Sequence, residues 1–134
     1  NYKLMVLSVS SGKDVQWAQL SEKNHLHYAK VHGFGHARWV ADSPMKVKAK
    51  WNKLIASKDM FDRGADYVLY LDRDVVITNY SVSAMDVIQR YGRINDQFAS
   101  LIASRDAISF QQTRPAIRRW AINSGALLLQ YKKV

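Results

Sequence analysis

Two aspartates, Asp72 and Asp74, come directly after an apolar run in the sequence "YVLYLDRDVVI". An unpaired buried carboxylate is costly, and a second like charge beside it raises that cost. The pair is therefore expected either in water at a strand end or around a cation. Residues two apart in a strand point to the same side, so the two carboxylates are predicted to converge. Carboxylate oxygens favour Mn²⁺ or Mg²⁺, which keep positions open for substrate phosphates.

Basic residues upstream of the aspartates recur at helical spacing, with Lys46, Lys50 and Lys53 at i, i+4 and i+7. If this helix packs against the aspartate-bearing strand, Lys50 or Lys53 could reach a phosphate as a point charge. The alternative is a solvated cationic face, which is the usual fate of a run of like charges. Trp51 lies in the same segment and is predicted to be a core residue.

Four histidines cluster between positions 25 and 36, which raises the question of a metal site. Two of them, His25 and His27, diverge on a helix because they differ by two positions. The other two, His32 and His36, are separated by Gly-Phe-Gly, so helical i, i+4 geometry fails between them. We therefore interpret all four as ordinary surface histidines rather than as metal ligands.

Apolar, β-branched segments alternate with helical patterns along the chain and define the elements that must position these residues. Strands are predicted at 2–10, 36–40, 66–77, 98–104 and 121–131. Helices are predicted from an Asp14 cap to Gly33, over 45–60, and from a serine start to Gly92, with a polar loop at 105–120. This order indicates one α/β domain with an open, mostly parallel, twisted sheet and flanking helices. In such sheets ligands bind beyond the carboxyl ends of the strands, where Asp72 and Asp74 fall.

The composition sets bounds on partners and on the class of protein. The chain has 134 residues, a formal net charge of +9 and no cysteine, so it suits one domain without a disulfide framework or a thiolate zinc site. The positive charge attracts nucleic acid, acidic membranes or phosphorylated small molecules. We expect no membrane span and no signal peptide. These expected absences, together with the lack of cysteine, favour the cytoplasm as the location. The sequon at Asn79 would place a glycan near the aspartates, which argues against a secretory route.

The segment "ADYVLYLDRDVVITN" resembles the metal-binding segment of nucleotide-sugar-dependent glycosyltransferases of the GT-A fold, of galactosyl-, mannosyl- and xylosyltransferase type. Further pieces are similar to that family in the expected order: "HYAKVHGF" at 27–34, "KWNKL" at 50–54, "ASLIASRD" at 99–106 and "INSGALLLQ" at 122–130. The resemblance covers most of the chain. It implies the Rossmann-like fold of the nucleotide-diphospho-sugar transferases.

The resemblance also implies a function and a set of site residues. A sugar would pass from a UDP- or GDP-sugar donor to a hydroxyl of a glycan or another acceptor, without involvement of nucleic acid. Asp72 and Asp74 would hold Mn²⁺, or Mg²⁺, against the donor diphosphate. The implied donor-nucleotide residues are Ser8, Val9, Ser10, Ser11, Lys50, Lys53 and Asp72. The implied residues on the sugar and acceptor side are Asp106, Asn123, Ser124 and Gly125.

One feature of the family pattern is missing from the sequence. These enzymes usually take a further metal ligand, often a histidine, from a segment well past the Asn-x-Gly strand, whereas this chain ends at Val134 soon after Gly125. We therefore expect residues 1–134 to form a single nucleotide-sugar-binding domain that is incomplete at its C-terminus. By itself it is expected to bind a donor weakly or to lack turnover.

Two other functions remain open from the residues alone. A haloacid-dehalogenase-type phosphatase has an apolar strand followed by Asp-x-Asp-x-Val, and Asp72 would then be its nucleophile. That motif normally lies on the first strand, whereas a long α/β stretch precedes it here. A basic nucleic-acid-binding module would explain the charge, but no helix-turn-helix, RRM or zinc-finger pattern is present.

Overall fold

The computed structural model describes residues 2–10, 15–40, 51–94, 97–105 and 122–131. Strands and helices alternate through the first three ranges, and strands predominate in the last two. The elements in chain order are β1 Leu4–Ser10, α1 Gln16–His32, β2 Gly35–Val40, α2 Asn52–Asp62, β3 Tyr67–Leu71, α3 Ala84–Tyr91, β4 Arg93–Ile94, β5 Gln97–Phe98, β6 Leu101–Arg105 and β7 Ile122–Gln130. No helix in these ranges is long and apolar enough to span a bilayer.

Five strands form one open sheet in the order β2-β1-β3-β7-β6. The strands β2, β1 and β3 are parallel, whereas β7 runs antiparallel to β3 and β6 antiparallel to β7. The short strands β4 and β5 pair with each other as a separate ribbon. The predicted α/β class with an open sheet and flanking helices is confirmed, and its parallel part consists of the first three strands.

Both faces of the sheet are buried, which explains why its strands are continuously apolar in sequence. On one face Leu4 and Val6 of β1 pack beneath α1 and α3. On the other face Leu7 of β1 and Val68 of β3 pack beneath α2. Because side chains alternate along a strand, Ser8 lies on the α1 face, whereas Tyr70 lies on the α2 face.

The predicted helix ends are largely confirmed. The first helix ends at Gly33, which adopts the left-handed conformation with φ 67°. The amide of the next residue, Phe34, donates to the carbonyl of Ala29 at 2.8 Å and closes the helix end. Ser83 caps α3 and shares a capping box with Asp86, and α3 ends before Gly92 as predicted. The predicted Asp14 cap lies outside the described residues.

The third strand is shorter than predicted. It ends at Leu71 rather than continuing to position 77. The reason is a turn at 72–75, in which the amide of Val75 donates to the carbonyl of Asp72 at 3.0 Å. A long apolar run therefore continues past the end of the sheet, and its second half is loop.

Other boundaries also differ from the sequence pattern. Where the pattern predicts one strand at 98–104, the structure has β5 and then β6, preceded by the unpredicted β4. The predicted helix at 45–60 is described only from Asn52, and it continues to Asp62. The predicted core residue Trp51 is instead 50% exposed, because it lies at the N-terminus of α2 rather than on its buried face. The polar loop predicted at 105–120 lies almost wholly outside the described residues.

Replacement of Gly33 should destabilise the fold. Gly33→Ala is expected to lower the free energy of unfolding by about 1 kcal/mol, because a Cβ is disfavoured at this positive φ. The cost is conformational rather than steric, since no atom from beyond the adjoining residues lies within 4 Å of the added Cβ. Gly33→Asn should cost less, because asparagine tolerates this conformation better. Urea unfolding of the three proteins tests the order, and equal stability of all three would contradict it.

Candidate functional site

The carboxyl ends of β1 and β3 lie side by side at one edge of the sheet. Ser8 pairs in register with Leu71, the last residue of β3. The remaining residues of β1, Val9 and Ser10, therefore extend beside the turn at 72–75, which carries both aspartates. The structure thus brings the predicted nucleoside-binding residues of β1 next to the predicted metal ligands.

Asp72 is held to the neighbouring strand through its backbone. Its amide donates to the carbonyl of Gly125 in β7 at 2.7 Å, one position beyond the regular pairing of β3 with β7. This bond brings a predicted acceptor-side residue, Gly125, beside the aspartates. Because Asp74 lies in a turn, the strand-alternation argument for the two carboxylates is wrong for this pair, and the turn instead determines their placement.

For some other predicted site residues, contacts with the aspartates are not described. Ser11, Lys50 and Asp106 lie outside the described residues. Asn123 and Ser124 belong to β7 by their backbone, so their strand runs antiparallel to β3 and approaches its carboxyl end. Their roles stay predictions.

The side chain of Asp72 meets two groups on the α2 face of the sheet. The hydroxyl of Tyr70 donates to its Oδ1 atom. The ammonium of Lys53, on α2, lies 3.6 Å from the same oxygen and 5.0 Å from the centre of the Tyr70 ring. The Lys53 side chain is only 14% exposed, so this ion pair is screened less than a surface pair. Lys53, Tyr70 and Asp72 thus form one contact cluster at the end of β3.

Tyr70 is strongly biased towards its protonated form. Burial raises the pKa of the Tyr70 hydroxyl, and the hydrogen bond to Asp72 and the charges of Asp72 and Asp74 raise it further. The influence of Asp74 means that both carboxylates lie within electrostatic reach of the same hydroxyl. Tyr70 is therefore a permanent hydrogen-bond donor that orients Asp72.

The two aspartates supply a donor set made of carboxylate oxygens alone. Such a set fits hard divalent cations, Mg²⁺ and Mn²⁺, which complete their coordination with water and phosphate oxygens. Within the described ranges no group of three or more histidine, cysteine or acidic residues could hold a metal by itself. A metal at Asp72 and Asp74 would thus need ligands from a substrate or from other parts of the protein.

His25 is not the surface residue that its sequence spacing suggested. It is 0% exposed and lies between β1 and the turn. Its Nε2 atom is 2.7 Å from the carbonyl oxygen of Val75, and its Nδ1 atom is 2.8 Å from the Ser8 hydroxyl. Because a carbonyl oxygen only accepts, Nε2 carries the hydrogen and Nδ1 accepts from Ser8. The His36 Nε2 atom also lies 3.2 Å from the Ser8 hydroxyl.

One face of α1 supplies partners to the loop that joins the turn to α3. Its polar residues on this face, here called the α1 seam, are Ser21, Asn24, His25, Tyr28 and His32. The backbone atoms that they bind lie between positions 75 and 84. The signal in the sequence was the helical spacing of Ser21, His25 and Tyr28, which continues the buried stripe from Ala18.

Cationic side chains lie around the end of β1. The Arg73 guanidinium, from the turn, lies 4.8 Å from the ring centre of Trp17. Arg38 of β2 pairs with Glu22 of α1 at 3.2 Å. Both arginines line a small pocket together with Ser8 and residues of α1. A larger cavity of about 310 Å³ lies on the α1 face between β3, β7 and α3, and its lining is almost wholly apolar.

The fold and the comparisons with known proteins define the chain as a GT-A-like glycosyltransferase. The chain matches the galactosyl transferase GMA12/MNN10 family over residues 2–117 and belongs to that family. The resemblance stated from the sequence is thereby confirmed.

Among the solved structures with a similar fold is one titled "Crystal structure of a glycosyltransferase involved in the glycosylation of the major capsid of PBCV-1". The TM-score is 0.66 at 16% sequence identity, and the match covers 96% of this chain and 59% of that chain. At this identity the likeness concerns the fold alone. Because the match covers 59% of that chain, this chain spans about three fifths of the length of that glycosyltransferase. Comparison with curated proteins gives no match.

The buried histidine predicts a loss of stability in mild acid. Burial lowers the pKa of His25, although its hydrogen bond with Val75 acts in the opposite direction. The unfolded chain therefore takes up a proton near pH 6.5 that the folded chain resists. The free energy of unfolding should fall as the pH drops from 7 towards 5, by up to about 1.4 kcal/mol per pH unit for such a group.

Urea unfolding across this pH range tests the assignment with two variants. His25→Gln should flatten the dependence, and the remaining slope would include His36, whose pKa burial also lowers. His27→Gln replaces an exposed histidine of the same helix and serves as the control. An unchanged slope in His25→Gln would show that another group is responsible.

Proposed function

We propose that this chain is the donor-binding part of a metal-dependent glycosyltransferase, which transfers a sugar from a UDP- or GDP-sugar to an acceptor hydroxyl. The observation that carries the proposal is the Asp72–Asp74 turn beside the end of β1 in a chain of the galactosyl transferase family. This is the sheet edge at which α/β folds bind nucleotides. The acceptor would be a glycan or another hydroxyl compound.

The end of β1 and the turn would each contact a different part of the donor. Ser8, Val9 and Ser10 would contact the nucleoside, as would Ser11 just beyond them. Asp72 and Asp74 would hold Mn²⁺, or Mg²⁺, against the diphosphate. Such a metal neutralises the negative charge that builds up on the departing diphosphate.

Lys53 and Tyr70 would act on Asp72. The Tyr70 hydroxyl, which burial keeps protonated, limits the orientations of the Asp72 carboxylate. Lys53 balances the charge of Asp72 and is close enough to contact a diphosphate bound beside that carboxylate. A flexible ammonium suits this role because it can exchange one oxygen partner for another. Lys50 would supply a second cation from the same segment.

The acceptor side would lie towards β7. The backbone bond from Asp72 to Gly125 brings this strand to the metal-binding turn. Asn123, Ser124 and Asp106 are the candidates for contacts with the transferred sugar or the acceptor. A phosphatase that uses Asp72 as its nucleophile is not favoured, because the family of the chain is a transferase family. The same argument applies to a nucleic-acid-binding module.

The metal ligands can be tested by calorimetric titration of UDP and GDP with and without Mn²⁺. The unmodified chain should bind one of them only when Mn²⁺ is present. Asp74→Asn should weaken this binding more than about hundredfold, because a charged metal ligand is lost. Asp62→Asn removes an exposed carboxylate of α2 that pairs with Lys58, and it should leave binding unchanged. Wild-type affinity in Asp74→Asn would refute the proposed metal site.

Lys53 can be tested by comparing metal binding with nucleotide binding. Lys53→Gln should weaken the binding of UDP with Mn²⁺ by roughly tenfold, because a charged contact to the diphosphate is lost. Mn²⁺ alone should bind at least as tightly, because Lys53 no longer competes for Asp72. Lys58→Gln, which changes an exposed lysine of the same helix, is the matched control. Equal nucleotide affinity in the two variants would exclude a phosphate contact for Lys53.

A further inference from the structure

His25 is a fully buried titratable side chain with no place in the proposed transfer reaction. It lies on α1, yet both of its ring nitrogens bind atoms of other segments. One nitrogen meets the Ser8 hydroxyl of β1, and the other meets the Val75 carbonyl that follows the aspartates. These two partners belong to the two parts of the site that would share the donor.

We propose that His25 is a positioning residue that fixes the Asp72–Asp74 turn relative to the nucleoside-binding end of β1. The expected effect on donor binding rests on the proposed function. The hydrogen bonds of His25 themselves join residues of this chain and need no ligand. His25 would act through Val75 and Ser8, without touching the donor or the metal.

The turn is attached to the rest of the molecule on both sides. Before the turn, the Asp72 amide donates to Gly125 at 2.7 Å. After the turn, the Val75 carbonyl accepts from His25 at 2.7 Å. It also accepts from the Ser21 hydroxyl at 2.8 Å. Since the peptide of Val75 begins directly after Asp74, its fixed position restricts where the Asp74 carboxylate can lie.

The second ring nitrogen couples this attachment to β1. Ser8 is 6% exposed, and its hydroxyl has a single hydrogen. That hydrogen is donated to His25 Nδ1, so the His36 Nε2–H group donates to the Ser8 oxygen. The chain of bonds runs from β2 through β1 and α1 to the turn. A displacement of the turn would therefore break contacts at the end of β1 as well.

Only a ring with one donor and one acceptor nitrogen satisfies both partners. Glutamine can replace the Nε2 donor and keep the bond to Val75, but it loses the acceptor for Ser8. Asparagine is shorter and can keep the Ser8 contact, but it does not reach Val75. These two variants thus separate the two ends of the His25 contact while both leave an amide in the same space.

The test is amide hydrogen exchange at Val75, together with calorimetric titration of UDP in the presence of Mn²⁺. The Val75 amide closes the turn onto Asp72, so its exchange rate reports opening of the turn without any ligand. His25→Asn should raise this rate by about tenfold and weaken UDP binding by a similar factor, because one buried bond to Val75 is lost. His25→Gln should stay within about threefold of the wild type in both measurements.

The matched control is His32→Asn. His32 makes the same kind of bond, from Nε2 to the Tyr80 carbonyl at 2.8 Å, but at the far end of the loop. This variant should lose global stability yet leave Val75 exchange and UDP affinity unchanged. If His25→Asn does not fold, Ser21→Ala removes the other side-chain hydrogen bond to the Val75 carbonyl and should accelerate exchange at Val75. Unchanged exchange in this variant would show that the attachment of this carbonyl does not hold the turn.

The outcomes test the positioning role of His25 separately from the proposed transferase function. If His25→Asn and His25→Gln lose UDP affinity equally, and in proportion to their loss of free energy of unfolding, the positioning role is wrong. Val75 exchange that is unchanged in both variants would also overturn it. If the unmodified chain binds neither UDP nor GDP with Mn²⁺, the proposed function fails. The Val75 exchange rates would still decide whether His25 holds the turn.

Discussion

The segment after β3 carries backbone polar groups away from the sheet, and α1 provides their partners. A segment that leaves a sheet loses its hydrogen bonds to the neighbouring strands, and buried backbone N–H and C=O groups without partners are costly. Here the carbonyls of Val75, Ile77 and Tyr80 accept from side chains of the α1 seam. The loop can therefore run along the protein with a defined path, although it has no regular secondary structure. The same arrangement fixes the Val75 carbonyl, which follows directly after Asp74.

The turn is also held from the opposite face of the sheet. Lys53 and Tyr70 contact the Asp72 carboxylate from the α2 side, whereas His25 and Ser21 contact the Val75 carbonyl from the α1 side. The first set controls charge and the orientation of the carboxylate. The second controls the path of the backbone. The two kinds of control use different helices, so each can be altered by substitution without direct change to the other.

Membership of the galactosyl transferase GMA12/MNN10 family and a fold like that of a solved glycosyltransferase give this geometry its functional context. The chain spans about three fifths of the length of that structure. In the function we propose, β1, the turn and β7 would form the donor side of a transfer reaction. Leaving-group stabilisation needs little beyond cations near a diphosphate, and Lys53 with a metal at the aspartates would provide them.

The sequence by itself determined the α/β class, the order of the main strands and helices, and the ends of α1 and α3. These follow from local rules: apolar runs, glycine after a helix, and serine before one. It also pointed to the carboxyl end of the third strand as the place of Asp72, because charged residues interrupt the apolar run there. It misjudged the run after Asp74 as strand, since apolar residues of a loop that packs on the core look the same as residues of a strand.

Only the tertiary structure decided what His25 does and how the aspartates are held. His25 and Val75 are 50 positions apart, and nothing near either residue in the sequence reveals that a helix side chain will meet that carbonyl. The sequence indicated Lys53 as a cation that could reach this end of the strand, but only the structure shows that it contacts Asp72 on the α2 face. Hydrogen-bond partners across such distances are selected by packing of the whole sheet, which local sequence patterns do not describe.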